Sequence, residues 1–421
     1  MRFPRPTIPR PVLFAIRTIR THVARTVFAL LGVVVGVFAV TVIMLLGDGV
    51  KGYVVGMVST FGTDLIQVEV KVPNTGKTST ENSGGIAQGI QITTLTRNDQ
   101  EKIDRLPNVL ASYAGTIAQE RATYGPVGKR IMLFGAGADA PSVDTNLELA
   151  SGRFYGADED ESLARVIVLG SGVKQTFFGD RDAIGESVII RGERYRVVGS
   201  LSPRGSAAFF DLDAMAYVPI RTLQKKLLGV NHVQMISVRM EDPSRETETV
   251  SLLTDLLRRE HDIDDPDRDD FAVTSTREAQ EMLGDIVGTI SILLIALTSI
   301  SLVVGGVGIM NVMYVSVAER TGEIGLRKAV GAASGNILAQ FLVEALIVTG
   351  LGGIIGMLLG IVFAWASSIV LTRAGFPVEL VLSSRSLLLG AGFSVAVGLL
   401  FGLSPAVRAA RLSPMEAIRK E

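Results

Sequence analysis

Residues 305–360 read GGVGIMNVMYVSVAERTGEIGLRKAVGAASGNILAQFLVEALIVTGLGGIIGMLLG. Apolar residues fill both ends of this stretch, and a compact charged segment, ERTGEIGLRK, occupies residues 319–328 between them. Two hydrophobic runs joined by about 20 residues predict two membrane helices with a short loop on one side of the membrane. Glu319, Glu323 and Arg327 are each four residues apart, so a helix would stack them on one face. We expect this charged helix to contact a soluble partner.

The composition of the chain narrows the class of protein. Hydrophobic residues make up 48% and charged residues 20% of the 421 residues, and the charged share lies below the soluble average of roughly 25%. This balance predicts a protein that is partly embedded in a membrane. The net charge of −1 indicates no general affinity for nucleic acid. The absence of cysteine excludes disulfides, thiolate metal sites and a cysteine nucleophile.

The N-terminal region predicts a first membrane span with its start in the cytoplasm. Residues 12–25 have the pattern of a basic amphipathic helix on the inner surface, or alternatively of an ordinary charged flank. Residues 27–47 form an uncharged run long enough to span the bilayer, and longer than the apolar core of a cleaved signal peptide. By the positive-inside rule, the N-terminus is cytoplasmic. The arginines on which this depends are Arg2, Arg5, Arg10, Arg17, Arg20 and Arg25.

Residues 48–284 have ordinary polarity and predict an α+β domain on the outer side. Residues 71–91 are rich in Thr, Ser, Gly and Asn and predict a loop, and Thr96 with Asp99 predicts a capping box for a helix that ends before Pro107. We expect two lobes, the more β-rich one near residues 120–230, and we expect this segment to fold when it is produced alone. The predicted strands are 65–70, 166–169, the hairpin 188–190 with 195–198, 232–240 and 271–274, and a second helix covers 249–260.

Three further spans complete a four-helix membrane protein. Ser275 and Glu278 predict a capping box for one long helix that leaves the exterior domain and continues through the second span, with a break at Gly284 or Gly288 as the alternative. Pro405 is expected to end the fourth span. Glycines four residues apart predict close helix packing; they are Gly352, Gly356 and Gly360 in the third span and Gly398 and Gly402 in the fourth. The predicted segments are 1–26 (cytoplasmic, basic), 27–47 (first helix), 48–284 (exterior domain), 285–318 (second helix), 319–336 (cytoplasmic loop), 337–371 (third helix), 372–385 (outer loop), 386–404 (fourth helix) and 405–421 (cytoplasmic tail).

Motifs for catalysis, cofactors and metals do not reach their required patterns. Gly76-Lys77-Thr78 lacks the upstream glycine of a phosphate-binding loop, because Lys71 stands there. The aspartate-rich run at residues 262–270 has Asp267 where a calcium loop requires glycine and predicts a solvated loop. We expect no catalytic, cofactor or metal site on this chain. Glu344, near the inner end of the third span, is either a functional intramembrane carboxylate or a helix-end charge that pairs with Arg327 or Lys328.

The segment between the second and third spans resembles the MacB-type ABC transporter permeases of the wider FtsX-like family. The resemblance is carried by GIMNVM at residues 308–313, VAER at 317–320, EIGLRKAVGA at 323–332, FLVEA at 341–345 and PAVRAARLSPMEAI at 405–418. It covers the membrane part closely and the exterior domain by order and size. The resemblance implies a MacB-like periplasmic core domain at residues 48–284.

The resemblance also implies a function and partners. Such a permease pairs as a homodimer, or as a heterodimer with a paralogous permease, and binds ABC ATP-binding subunits that carry ATP and Mg. ATP hydrolysis on the partner moves the exterior domains, a mode called mechanotransmission, for export or efflux of a substrate across the inner membrane. We expect a separate ATPase chain. The predicted ATPase-coupling residues are Glu319, Arg320, Glu323, Ile324, Arg327 and Lys328.

Alternatives to efflux stay open at this point. An FtsX-like complex would transmit a signal that controls an extracytoplasmic cell-wall hydrolase, and a lipoprotein-release complex has the same topology. The resemblance leaves open whether a periplasmic adaptor protein and an outer-membrane channel join the complex. In each case both termini are expected in the cytoplasm, membrane lipid surrounds the helices, and no nucleic acid is bound.

Overall fold

A computed structural model describes residues 23–59, 62, 64–75, 91–207, 210–374, 376 and 378–413. Most of the predicted amphipathic helix at 12–25 and of the predicted loop at 71–91 lies outside these residues. The chain divides into two compact units. The helical unit comprises Met1–Tyr53 and Gly284–Glu421, and the sheet unit comprises Val54–Leu283.

Helices dominate the first unit, and short helices are interspersed in the second. The α-helices are α1 (Val23–Ser59), α2 (Arg97–Ile103), α3 (Ala140–Val143), α4 (Ala157–Glu161), α5 (Ser171–Phe178), α6 (Ile220–Thr222), α7 (Glu246–Glu260), α8 (Thr276–Glu319), α9 (Thr321–Ala329), α10 (Ser334–Arg373) and α11 (Ser384–Arg411). The described residues also contain three 3₁₀ turns, at Leu212–Ala214, Pro243–Arg245 and Pro266–Arg268, and one π-helical turn at Leu223–Leu228. Among the described residues, α1, α8, α10 and α11 are long and apolar enough to cross a membrane, which confirms the four predicted spans.

The predicted continuity of the long helix is confirmed. Helix α8 runs without interruption through Gly284 and Gly288 for 44 residues, a length of about 66 Å at 1.5 Å per residue. The Ser275 hydroxyl accepts a hydrogen bond from the Glu278 backbone N–H at 3.0 Å, as the capping prediction requires for this end of the helix. Helix α8 therefore contains residues of both units, as α1 also does.

The prediction that Pro405 ends the last span is wrong, because α11 continues to Arg411 with Pro405 inside it. A proline removes one helical hydrogen bond, but neighbouring groups can compensate within a helical bundle. Residues on both sides of Pro405 are held by their neighbours. The Ser404 and Tyr314 hydroxyls are 2.6 Å apart, and Ala406 and Ala409 are fully buried. Packing of the following turns therefore keeps the helix intact.

The sheet unit is organised on one mixed sheet. Its path through the described strands is β12-β1-β11-β2-β3-β10-β5-β7-β4, and β6 pairs with β2 and β7. A separate two-stranded sheet joins β8 and β9. The strands are β1 (Leu65–Val70), β2 (Val109–Tyr124), β3 (Val127–Ala136), β4 (Leu149–Gly152), β5 (Val166–Leu169), β6 (Ser187–Ile190), β7 (Glu193–Leu201), β8 (Ser206–Ala207), β9 (Phe210–Asp211), β10 (Met215–Pro219), β11 (Met235–Met240) and β12 (Phe271–Ser275).

Most of the predicted strands are present with small shifts in their ends. The predicted hairpin turns at Arg191 and Gly192, whose φ angles are +48° and +80°, as the favoured two-residue hairpin turn requires. The strand predicted at 232–240 begins only at Met235, because His232 forms an isolated bridge with Thr96 instead. Sequence analysis missed the longest strands, β2 and β3, which pair along ten residues of each.

Three buried clusters form the core of the described part of the sheet unit. One contains only residues between Ala118 and Leu227, and another contains residues from Ile66 to Ala114 and from Ile220 to Val273. The third draws on both regions, because it contains Leu65 and Tyr113 together with Val166 and Tyr217. The two predicted lobes and their boundaries therefore stay a prediction.

A buried histidine links three elements of the sheet unit. His261 follows the C-terminus of α7, and its Nδ1 lies 2.8 Å from a carboxylate oxygen of Asp270. Its Nε2 lies 3.6 Å from a carboxylate oxygen of Asp99 on α2. Asp99 also accepts the Thr96 backbone N–H at 2.8 Å, which is the predicted capping contact. Burial lowers the pKa of His261, but the hydrogen bond to Asp270 and the negative charges of Asp270 and Asp99 outweigh it and raise the pKa to about 9.

This cluster predicts that the sheet unit loses stability in mildly alkaline solution. Because the folded-state pKa of His261 lies above its unfolded value, the stabilisation is complete below pH 6.5 and is lost as pH rises through about 9. The loss should be on the order of 2 kcal/mol. Urea unfolding of the 48–284 segment at pH 6 and pH 9.5 measures it, and His261→Gln should flatten the dependence. An equal pH dependence in the wild type and in His261→Gln would contradict this assignment.

Candidate functional site

The charged loop between the second and third spans forms a separate short helix. Helix α8 ends at Glu319, Arg320 adopts φ −102° and ψ 13°, and α9 begins at Thr321. The Thr321 hydroxyl donates to the carbonyls of Val317 (3.1 Å) and Ala318 (2.8 Å), and so satisfies acceptors that a helix end leaves open. The predicted single stack of Glu319, Glu323 and Arg327 is therefore wrong for Glu319, because the chain turns between the two helices.

Two arginines of this loop bind side chains of α10. Arg320 donates from Nη1 to a carboxylate oxygen of Glu344 at 3.2 Å, and Glu344 is only 5% exposed. Arg327 donates to the amide oxygen of Gln340 at 2.9 Å and forms an ion pair with Glu323. Glu344 therefore pairs with a basic side chain of the loop, in agreement with its interpretation as a helix-end charge. The partner is Arg320 rather than Arg327 or Lys328, which bind elsewhere.

Lys328 contacts the end of α11. Its Nζ donates to the carbonyl oxygens of Ala410 at 2.6 Å and Leu412 at 2.7 Å. The last carbonyls of a helix lack partners within the helix, and the negative end of the helix dipole favours a cation there. The Lys328 ammonium therefore binds the C-terminal end of the fourth span.

Ile324 faces the interior of the helical unit. It is 3% exposed and belongs to a buried cluster with Ile337 and Phe341 of α10 and Ala406 and Ala409 of α11. Four of the six predicted coupling residues, Arg320, Ile324, Arg327 and Lys328, thus contact this chain's own helices. Their side chains fix the position of α9.

The outward face of α9 has a different character. Leu326 is 64% and Val330 is 82% exposed, and Glu323 and Glu319 are also exposed. Glu323 and Leu326 are three residues apart on α9, so they share one side of the helix. Val330 is the C-cap of α9, and because its N–H still donates to the Leu326 carbonyl at 3.1 Å, it continues this side by one turn. Sequence reasoning missed the two apolar residues. The sequence did contain a signal for them: Leu326 and Val330 are an apolar pair spaced i, i+4 in a polar segment, and Ile324 already supplies the buried side of that segment.

The glycines singled out by their spacing lie at helix contacts. Gly352, Gly356 and Gly360 face α1, where an added Cβ would come within 3.2 Å of Val33, 2.7 Å of the Val34 carbonyl oxygen and 2.9 Å of Thr41, respectively. Gly398 and Gly402 of α11 face α10, where an added Cβ would come within 2.4 Å of Thr349 and 2.6 Å of Ala345.

The closest approach of backbones joins the first and second spans. An added Cβ at Gly32 would lie 2.3 Å from the Gly305 Cα, and one at Gly305 would lie 2.5 Å from the Gly32 carbonyl carbon. Sequence reasoning did not single out this pair, because the two glycines lie on different helices that are far apart in the sequence, and Gly305 has no glycine four residues away on its own helix. Glycine at both positions lets α1 and α8 cross with their backbones in contact.

Comparison with known proteins identifies both halves of the chain. Residues 26–256 match the MacB-like periplasmic core domain family, and residues 295–414 match the FtsX-like permease C-terminal family. The described part of the first range contains the sheet unit up to α7, and the second contains α9, α10 and α11.

Named relatives align along almost the whole chain. The macrolide export ATP-binding/permease protein MacB of Wolinella succinogenes is 35% identical over 408 residues, which are 97% of this chain and 60% of that protein. The protein of the same name from Azoarcus sp. is 35% identical over 413 residues, 97% of this chain and 59% of that protein. The chain thus spans about 60% of the length of these relatives.

One solved structure has limited similarity to part of this chain. The periplasmic region of MacB from Actinobacillus actinomycetemcomitans is 21% identical, has a TM-score of 0.45 and covers 54% of this chain and 95% of its own. From the matches of both halves, the chain belongs to the MacB-like permease family, with a MacB-like periplasmic core domain followed by an FtsX-like permease region.

Proposed function

We propose that the chain is the permease part of an ABC transporter that is driven by an ATP-binding partner. ATP and Mg bind that partner, both termini and α9 lie in the cytoplasm, and the sheet unit lies outside the inner membrane. The permease acts as a homodimer or together with a paralogous permease. Family membership and the names of the relatives, which join ATP-binding and permease activities, support this assignment.

The outward face of α9 carries the proposal. One side of this helix is held by α10 and α11, through Arg320, Ile324 and Lys328. Its other side exposes Leu326 and Val330. A small apolar contact with an acidic neighbour suits a protein partner, because apolar anchors at the centre of an interface contribute most of its binding energy. A partner that moves α9 would move the helices to which it is anchored.

The second half of the proposal is mechanical. Force on α9 enters the helical unit, and the unbroken α8 leads from the start of α9 to β12, so movement passes along one helix to the exterior domain. Two buried hydroxyls in the spans donate to backbone carbonyls, since Thr41 donates to Val37 (2.7 Å) and Ser394 donates to Thr349 (2.7 Å). These groups serve helix packing rather than solute binding. Export of a substrate by motion of the exterior domain follows as the proposed activity.

Leu326→Asp is expected to weaken capture of the ATP-binding subunit at least tenfold. A carboxylate in the centre of an apolar contact is desolvated without a partner, and a loss of about 1.4 kcal/mol or more gives that factor. Co-purification from the native membrane in mild detergent, with quantification of the ATP-binding subunit, measures this loss of capture.

The Glu323→Lys variant should assemble less tightly or uncouple ATP hydrolysis from activity, while its membrane insertion stays intact.

Asn336→Asp is the matched control, because it adds the same charge at an exposed position outside the Glu323–Leu326–Val330 face. Equal capture by Leu326→Asp and Asn336→Asp would contradict the proposed contact. Co-elution of a periplasmic adaptor with the ATP-binding subunit would support efflux, and co-elution of a cell-wall hydrolase would replace efflux with the signalling function. Recovery of lipoprotein instead would favour lipoprotein release.

A further inference from the structure

Three contacts connect α9 to the end of α11, and they are distributed along the two helices rather than concentrated at one residue. Ile324 packs in the same buried cluster as Ala406 and Ala409. One turn later on α9, Lys328 reaches the carbonyls of Ala410 and Leu412. The contact sites advance along both helices together. Such a paired arrangement resists rotation of one helix against the other better than a single contact does.

The chemistry of the Lys328 contact makes it strong for its size. An ammonium that donates to two carbonyl oxygens forms charge-assisted hydrogen bonds. These carbonyls lie at the C-terminal end of a 28-residue helix, where the helix dipole is negative. Ala409 and Ala410 are both buried, and their small side chains leave space for the lysine stem.

A second set of contacts ties the same end of α11 to α8. The guanidinium of Arg408 lies over the ring of Tyr314, 5.5 Å from its centroid, and the Tyr314 hydroxyl is 2.6 Å from the Ser404 hydroxyl. The last turns of α11 therefore contact both helices that flank the Arg320 turn. These turns lie after Pro405, which removes one hydrogen bond between them and the rest of the helix.

We propose that Lys328 is a positioning residue that fixes α9 to the C-terminal end of α11, so that the two move as one body. Sequence reasoning had assigned Lys328 to the partner contact, whereas its ammonium is engaged within the chain. The fourth span thereby becomes part of the route by which force on α9 enters the helical unit. The force route through the fourth span rests on the proposed function, whereas the joint movement of α9 and α11 does not.

Spin labels on the full-length chain test the joint movement directly. The chain has no cysteine, so Ala329→Cys with Leu403→Cys gives one label pair between α9 and α11 at exposed positions. In lipid nanodiscs, pulsed dipolar spectroscopy should give one narrow distance distribution. Lys328→Met, which keeps the stem and removes the donors, should broaden it about twofold because the charge-assisted bonds are lost. Lys328→Arg should restore most of the narrow distribution.

The control pair is Leu403→Cys with Ala366→Cys, which reports on α11 and α10 and should not respond to Lys328→Met. An unchanged distribution for the first pair in Lys328→Met would overturn the proposal. Broadening of both pairs would overturn it as well, because it would mean general loosening of the bundle.

A second readout separates this proposal from the proposed function. In complexes that retain the ATP-binding subunit at wild-type stoichiometry, Lys328→Met should lower the permease-dependent stimulation of ATP hydrolysis about tenfold, and Lys328→Arg should recover it. Full stimulation in Lys328→Met, despite the broadened distance, would overturn the force route. Failure of every variant and of the wild type to bind an ATP-binding subunit would instead contradict the proposed function and leave the spin-label result standing.

Discussion

Replacement of Gly305 by alanine is expected to destabilise the helical unit by more than any other single methyl group added to its spans. The new Cβ would lie within 3.0 Å of three backbone atoms of Gly32 and Val33. No rotamer change can relieve a clash with backbone, so α1 and α8 must separate. Overpacking of a well-packed core costs about 1–3 kcal/mol, and Gly305→Leu should prevent formation of the native bundle.

Two control substitutions are expected to change stability in the opposite direction or not at all. Gly288 lies on the same helix and Gly350 on α10, and an added Cβ at either would meet no atom within 4 Å. Because alanine favours a helix over glycine by about 1 kcal/mol, Gly288→Ala and Gly350→Ala should be neutral or slightly stabilising. The measurement is the temperature at which detergent-solubilised protein loses its monodisperse size-exclusion peak. Equal melting of Gly305→Ala and Gly288→Ala would refute the crossing.

Arg204→Met is expected to be the most damaging polar substitution in the sheet unit. Arg204 Nη2 lies 2.7 Å from a carboxylate oxygen of Asp144, and the two side chains are only 5% and 8% exposed. Removal of one partner leaves the other charge buried without compensation, which costs about 3–5 kcal/mol. Burial raises the pKa of Asp144 against the opposing effect of Arg204, so the cost should shrink as the pH falls and the lone carboxylate takes up a proton.

Two variants define what the Arg204 result means. Arg204→Met combined with Asp144→Leu removes both charges and should recover most of the lost stability, because a buried pair can be replaced by apolar residues. Arg245→Met removes the arginine of the exposed pair with Glu248 and should leave the urea midpoint nearly unchanged, because solvent screens an exposed ion pair. The urea midpoint of the 48–284 segment reports all three. A double variant as unstable as Arg204→Met would contradict the ion-pair account.

Sequence patterns were sufficient to predict the elements in which all side chains of one face have the same surroundings, either apolar or polar. Apolar runs without charge indicated the four spans, and alternation indicated β1. The long hairpin of β2 and β3 escaped because the exposed half of β3 begins with Val127, Gly128, Lys129 and Arg130. Such a mixture has no period of two, and pairing across the sheet rather than local pattern sets its conformation.

The site shows why charge spacing alone could not assign the coupling residues. Spacing indicates which residues share a helix face only while the helix continues, and the turn at Arg320 breaks it. Whether a basic side chain faces the interior depends on hydrogen-bond acceptors that lie far away in the sequence. Examples are Glu344 for Arg320 and the Ala410 carbonyl for Lys328. The same segment of sequence therefore contains anchors on one side and a contact surface on the other.

A photo-crosslinking amino acid at Val330 of the full-length chain tests the central claim most directly. Irradiation of native membranes, followed by identification of the crosslinked species, should recover an ATP-binding subunit, because Val330 is exposed on the outward face of α9. The same group at Leu358, exposed in the middle of α10, should crosslink to lipid or to another permease chain. An ATP-binding subunit at Val330 and its absence at Leu358 is the predicted result. Recovery of no ATP-binding subunit at Val330, with efficient crosslinking at Leu358, would contradict the assignment of α9 as the coupling surface.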